Sequence, residues 1–280
     1  MMSNKVWLVT GASKGLGLAI TKKLLATGYK VAATSRTADA LIKAVGIAAS
    51  DNFLPLEVSL TDEQSVKKAI DDTLAKFGTI DVVVNNAGYG QLGAIEEMSD
   101  AEVRKNFDIN VFGLLNVLRN VMPQLRAQMS GRVYNISSVG GFIGNFPGWS
   151  SYISSKFAVA GLTESFAAEA LPFNVYGTAV YPGYFRTDFL SQDSLLLSAK
   201  QLDVYQTARD SQALHQNEIN GNQPGDPEKA AELLIKVAEE PNPPVHLFLG
   251  TDAYKLIDVK IDAVKKDTER LRSLATATDF

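Results

Sequence analysis

Cysteine is absent from this chain of 280 residues, which excludes disulfides and thiolate metal sites. Histidine is nearly absent. His215 and His246 are the only two, so no metal centre built on histidine is expected. There is no excess of positive charge, since the net charge is -4. Nucleic-acid backbones need a basic face, so nucleic acid is not expected as a main partner, although a local basic spot for one phosphate remains allowed. No apolar run is long enough to cross a bilayer, so no membrane partner is expected. The apolar segment that starts at Val6 stops by Thr10, too short for a signal-peptide core, and a cytoplasmic protein is the expectation. What remains is ordinary for a globular protein: 46% hydrophobic and 21% charged residues, enough to bury a sizeable core.

The N-terminal third carries a nucleotide signal. Residues 5–10 read as a short buried strand that runs into Gly11-Ala-Ser-Lys-Gly15-Leu-Gly17 and then an amphipathic helix to about Thr27. A strand, a glycine-rich turn and a helix are the context a dinucleotide fingerprint requires. Gly11 permits the tight turn, Gly15 lets the backbone approach a pyrophosphate, and Gly17 lets the helix pack close to the sheet. The helix N-terminus favours that anion. A second strand ends in Thr34-Ser35-Arg36, where an NAD site usually places a carboxylate for the ribose hydroxyl. Arg36 suits a 2′-phosphate instead, with Lys14 reaching it from the glycine turn. NADP(H) is expected over NAD(H).

Further strands are read at 53–58, 80–85, 131–138, 174–181 and 245–249. The fourth ends in Asn85-Asn-Ala-Gly88, where open α/β sheets bind ligands. Thr61-Asp-Glu-Gln64 and Ser99-Asp-Ala-Glu102 have capping-box spacing. The helix after Ser99 is expected to reach about Met129, with a kink or break at Pro123. Residues 185–225 read as short helical pieces and turns forming a lid on the substrate side, with His215 and Glu218 in a solvated stretch. Residues 251–275 read as a C-terminal amphipathic helix. The alternation predicts a single α/β domain over 1–280, a doubly wound parallel sheet of the Rossmann kind.

Tyr152 and Lys156, four residues apart, share one face of a helix. A free phenol titrates near 10 and is a poor acid or base at neutral pH, and an adjacent ammonium is expected to bring it down. A phenol so tuned is a usable general acid/base. Alone the pair is common by chance; the motifs around it give it weight.

Taken together these residues resemble the short-chain dehydrogenase/reductase family in its shorter form. The Thr10-Gly-x-x-x-Gly-x-Gly17 turn, Asn85-Asn-Ala-Gly88, Asn110, Ser138, Tyr152-x-x-x-Lys156 and Pro182-Gly183 stand in the family's order. The resemblance implies that Tyr152 exchanges a proton with the substrate oxygen, and that Lys156 tunes it and binds the nicotinamide ribose. It also implies that Ser138 orients the substrate oxygen and Asn110 holds a water linking Lys156 to solvent. Ser137 is the alternative to Ser138, because adjacent strand positions face opposite ways. Cofactor contacts are implied for Ser13, Lys14 and Leu16 with the three glycines of the turn, and for Arg36, Ser59 and Leu60. Asn86, Ala87 and Gly88 would follow, then Pro182, Gly183, Phe185 and Thr187, beside Tyr152 and Lys156. Two departures stand out: Ser59 replaces a common aspartate, and the loop from Ser138 to Tyr152 is one residue longer than usual.

The substrate pocket is expected between that loop and the segment after Gly183. Phe142, Ile143, Phe146, Trp149, Tyr184, Phe185, Phe189 and Leu190 are apolar or aromatic candidates, with Arg186 the one cation. They point to a small hydrophobic ketone, aldehyde or alcohol. A cofactor-binding sensor without turnover and a lyase or epimerase are the competing classes. Pairing of copies into a dimer or tetramer, through the long helix and the Tyr152 helix, is implied by the resemblance.

Overall fold

The computed structural model describes residues 5–280; the first four residues of the expected domain lie outside it. Seven strands form one sheet: β1 (Val6–Val9), β2 (Lys30–Ser35), β3 (Phe53–Glu57), β4 (Val82–Asn85), β6 (Gly131–Ile136), β7 (Val175–Pro182) and β9 (His246–Leu249). Their order is β3-β2-β1-β4-β6-β7-β9, and every pairing is parallel. These are the seven strands the apolar runs predict. A separate parallel pair joins β5 (Gly90–Leu92) to β8 (Leu195–Leu197).

Alternation along the strands feeds two cores. Trp7, Val9, Val82 and Val84 pack on one face, against Ile20 and Leu24 of α1 (Gly15–Ala26), Leu41 of α2 (Ala38–Val45) and Leu234 of α8 (Pro227–Val237). Leu8, Val83 and Val133 pack on the other, against Ile70 of α3 (Glu63–Phe77), Val121 of α5 (Gly113–Ala127) and Val159 of α6 (Ser150–Ala170). The chain reverses its direction of strand addition between β1 and β4. The crevice beyond their carboxyl ends is where a doubly wound sheet places its ligand.

Several local expectations are corrected. Asp62, not Thr61, caps α3, accepting from the Gln64 N–H at 3.0 Å. Ser99 does form a capping box with Glu102 on α4 (Asp100–Phe107). The long helix is interrupted at a π-turn over Asp108–Phe112, and Pro123 sits inside α5 without ending it. The widened turn inserts residues into the helical register, so it re-aims side chains, Asn110 among them. The eight residues of α2 and the three each of β5 and β8 were not predicted. Their runs are too short to display a period.

The segment after β7 packs Leu190 and Leu195 onto Leu92, Trp149 and Ile153, and it is also tied down by a buried carboxylate. Glu97, whose side chain is fully buried, accepts from the backbone N–H groups of Ala94 and Leu202, each at 2.7 Å, and pairs with Arg209 of α7 (Gln206–Ala213). Desolvation pushes its pKa up, but these three partners outweigh it and hold the carboxyl below the usual range. Glu97→Ala is expected to destabilise by about 3 kcal/mol, because it leaves Arg209 and two N–H groups unpaired. Since the folded pKa is the lower one, the contribution is complete above the ordinary glutamate value and drains as pH falls through the folded one. Thermal melts of both proteins across acidic pH check this: the gap should narrow towards acid.

Helix α9 (Thr251–Ala275) matches its expected bounds. Only its first turns are buried, through Ala253 and Ile257. Among the described residues no helix is long and apolar enough to cross a membrane.

Candidate active site

One cavity of about 620 Å³ runs from the β1–α1 turn to the segment after β7. At its nucleotide end, Gly11 (φ +66°) and Gly15 (φ +58°) hold left-handed backbone conformations that other residues adopt with strain. A Cβ on Gly11 would lie 2.7 Å from the Ala87 Cα, and one on Gly17 would lie 2.4 Å from the Asn86 side-chain nitrogen. Gly17 therefore serves packing and does not line the cavity, whereas Gly11, Ser13, Lys14, Gly15 and Leu16 do. Asn86 ties β4 to the turn, donating to the carbonyls of Thr10 and Gly11 at 3.0 Å each.

Arg36 lines the same end and is exposed. Lys14 donates to the Asp193 carbonyl at 3.0 Å. Burial lowers the Lys14 pKa, Asp193 raises it, and Arg36 lowers it again, so the two cations feel each other. Ser59 and Leu60 line the wall beside them. The Ser59 hydroxyl shares a hydrogen bond with Thr61 at 3.2 Å, and the Leu60 carbonyl is held by Asn116 at 2.8 Å.

In the middle stand Tyr152 and Lys156 on α6, both buried. The Lys156 Nζ donates to the Ile136 carbonyl at 2.8 Å and lies 5.8 Å from the centre of the Tyr152 ring. Ser137 is spent on the Lys156 carbonyl at 2.8 Å. Ser138 is the serine that acts on Tyr152, and its Oγ accepts from the Gly140 N–H at 3.0 Å. Of the two serines, Ser138 is the one beside the phenol.

The expected lowering of the phenol is overturned. Burial pushes Tyr152 up to about 12, with Ser138 opposing it and Tyr184 adding to it. Burial also pulls Lys156 down to about 8. Loss of water outweighs the ammonium because Lys156 points at a carbonyl rather than at the phenol oxygen. The phenol is thus held protonated, as a donor.

Asn110 does not line the cavity. Its amide donates to the Ser155 hydroxyl at 2.9 Å and the Tyr89 carbonyl at 3.1 Å, and accepts from the Tyr89 N–H at 3.0 Å. A Cβ on Gly88 would sit 2.9 Å from Asn110 Oδ1 and 3.4 Å from Lys156 Nζ. Gly88 is what lets these two groups approach the same backbone.

At the far end Phe146, Trp149, Tyr184, Phe189 and Leu190 line the cavity, as do Pro182, Gly183, Phe185 and Thr187. Trp149 and Phe189 flank the Tyr152 ring at 5.7 and 5.5 Å between centres. Phe142 and Ile143 do not belong there. Phe142 packs edge-on to Tyr181 and Phe248, and Ile143 packs against Val139 and Ala253. The short helical turn at 139–141 rotates them to the opposite side of the loop. Arg186 is turned onto the Gln223 carbonyl and leaves the cavity wall.

A family model described as short chain dehydrogenase matches residues 5–195. The chain belongs to the short-chain dehydrogenase/reductase family. It is 34% identical over 274 residues to Oxidoreductase BOA17 of Botryotinia fuckeliana, covering 98% of this chain and 99% of that one. It is 33% identical over 251 residues to a 3-ketodihydrosphingosine reductase of Bacteroides thetaiotaomicron, covering 89% of each. The crystal structure of a short-chain dehydrogenase from Streptomyces avermitilis superposes over 100% of both chains with a TM-score of 0.90 at 36% identity. As a short-chain dehydrogenase/reductase it is an oxidoreductase of the CH–OH/C=O type that uses a nicotinamide cofactor.

Among the cavity residues of this dehydrogenase that sequence reasoning missed, three stand out. Tyr89, after the Asn-Ala-Gly run, lines the wall with a buried hydroxyl that has no partner. Gln223 is buried beside Thr187, and its Oε1 has no partner either. His215, expected in solvent, is buried in the wall against Trp149 and Tyr184, while Glu218 is exposed as expected. No local pattern marks them. Tyr89 is placed by the carboxyl end of β4, and His215 and Gln223 are brought in by the chain folding back after β7.

Proposed function

We propose that this protein is an NADP(H)-dependent oxidoreductase interconverting a hydrophobic ketone or aldehyde and its alcohol, with Tyr152 as the general acid/base. The observation that carries the reading is one cavity with a cation pair at one end and a Ser138–Tyr152–Lys156 cluster inside aromatic walls at the other. The residues present fit the dinucleotide. Gly11 and Gly15 open the turn where a pyrophosphate meets the start of α1. Lys14 and Arg36 stand where a 2′-phosphate would be, and Thr34 and Ser35 offer no carboxylate there. Ser59 and Leu60 would border the adenine, Asn86, Ala87 and Gly88 the adjoining ribose, and Pro182, Gly183, Phe185 and Thr187 the nicotinamide. The orphaned Oε1 of Gln223 is an acceptor for the carboxamide N–H.

When bound, the nicotinamide supplies or accepts the hydride. Tyr152, held protonated by burial, donates its proton to the substrate oxygen in reduction. Ser138 receives the Gly140 N–H on its oxygen, so its own O–H, directed at the Tyr152 phenol, can turn to donate to that same substrate oxygen and stabilise developing charge. Lys156 holds the ribose and keeps a positive charge beside the phenol. Asn110, fixed through Ser155 and Tyr89, positions this end of α6 and holds the water that links Lys156 to solvent. The relative named 3-ketodihydrosphingosine reductase supports reduction of a keto group. Phe112 and Phe157, exposed beside α5 and on α6, support pairing of copies through those helices.

The test is a panel of ketones, aldehydes and alcohols followed by nicotinamide absorbance, run with NADPH and repeated with NADH. Turnover of small charged keto acids with hydrophobic ketones ignored would sink the substrate class. Faster turnover with NADH would sink the cofactor preference. In the same assay, ketone reduction is expected to be flat through neutral pH and to fall above about pH 8, where Lys156 loses its proton. A decline centred below neutrality would assign the essential group elsewhere.

A further inference from the structure

Beside Tyr152 the cavity wall carries a polar chain that proton transfer at the substrate carbonyl does not use. His215 lies in a π-turn over Leu214–Ile219, buried, with its ring 4.7 Å from the centre of Trp149 and 5.7 Å from that of Tyr184. Its Nδ1 is 2.7 Å from the Ser211 carbonyl, and its Nε2 is 3.0 Å from the Tyr184 hydroxyl. A carbonyl can only accept, so Nδ1 carries the hydrogen and Nε2 presents its lone pair. The Tyr184 O–H therefore donates to Nε2. Burial also lowers the pKa of His215, which keeps the ring neutral and the polarity of the chain fixed.

The consequence falls on the Tyr184 oxygen. Its one hydrogen is committed to His215, so what it offers to the cavity is lone pairs. Donation along a chain of hydrogen bonds makes the terminal oxygen a better acceptor. The residue is held in place from the other side, since its backbone N–H donates to Asp252 at the start of α9 at 2.6 Å. Trp149 packs against both Tyr152 and His215, which ties the catalytic phenol and the ring that orients Tyr184 to one indole.

We propose that Tyr184, oriented by His215, accepts a hydrogen bond from a hydroxyl group that the substrate carries away from its reacting carbon. The substrate is then a hydroxylated, otherwise apolar ketone or the matching diol, a phenolic ketone being the simplest case. His215 touches Tyr184 rather than this hydroxyl and is a positioning residue. The inference rests on the carbonyl reductase reading above and narrows its substrate class.

The test compares para-hydroxyphenyl ketones with their para-methoxy counterparts over a series of spacer lengths, on the full chain, with NADPH and with NADH. For at least one spacer the wild type is expected to favour the hydroxy ketone by about 10-fold to 100-fold in kcat/KM, the effect of one buried hydrogen bond. Tyr184→Phe should bring that ratio near one. His215→Phe keeps a ring against Trp149 but frees the Tyr184 O–H to donate to either substrate oxygen, so the preference for the hydroxy ketone should shrink several-fold towards one. A merely structural role would lower both rates together and leave the ratio alone, and that result in either variant overturns the inference. A wild-type ratio near one at every spacer also overturns it while the redox reading stands. Turnover of neither ketone with either nucleotide sinks the redox reading, and this inference with it. Should Tyr184→Phe fail to fold, the wild-type ratio and His215→Phe decide the matter.

Discussion

Tyr152→Phe is expected to lower kcat for ketone reduction by about 10²–10⁴-fold, the range that positioned general acids contribute. The substitution removes one oxygen and keeps the ring that Trp149 and Phe189 flank. Packing, and with it thermal stability, should hold within a small change. The cofactor end of the cavity lies along the glycine turn and β2, on other elements, so dinucleotide affinity should stay near that of the wild type. A loss of turnover with binding intact is therefore the signature, read by steady-state absorbance and by fluorescence titration of the reduced cofactor. A variant that turns over at the wild-type rate would take the proton from Tyr152 and give it to another group. The burial of the phenol sharpens the expectation: at about 12 it carries its proton throughout the working range, so reduction has a donor ready without any pH adjustment.

The second large effect concerns cofactor choice. Removing Arg36 and Lys14 together, by Arg36→Ala and Lys14→Ala, is expected to cut the NADPH-to-NADH ratio of kcat/KM by about 10²–10³-fold. Each cation would lose one charge-assisted bond to the 2′-phosphate. The two are not independent, since Arg36 already lowers the pKa of Lys14. Removing either one relieves a repulsion felt by the other, which shrinks each single loss, so the double variant should lose more than the sum of the singles. Lys14 also anchors the turn to the Asp193 carbonyl, and its loss should slow turnover with both nucleotides, whereas the loss of Arg36 should act on NADPH alone. An unchanged ratio in the double variant would mean that these cations are solvated surface charges.

The legible part of this protein was written in short-range patterns. Seven apolar runs became seven parallel strands, because a strand buried on both faces must be apolar along its length. The glycine turn was legible because the φ values of Gly11 and Gly15 favour residues without a side chain. The four-residue spacing of Tyr152 and Lys156 was legible because a helix turns that spacing into one face. Phe142 misled because a helical turn of three residues decides which way a loop side chain points, and nothing in the sequence marks that turn. His215 misled because its burial depends on Trp149 and Tyr184, which lie far from it in the chain.

The sequence by itself determined the sheet, the glycine turn and the positions of Lys14, Arg36, Tyr152 and Lys156, since each is set by residue type at a fixed local spacing. Only the tertiary structure decided the burial that keeps Tyr152 protonated, the different partners of Ser137 and Ser138 and the Tyr184–His215 pair. Those properties come from how much water is excluded and which groups meet across the cavity, and both arise only once segments well separated along the chain are packed together.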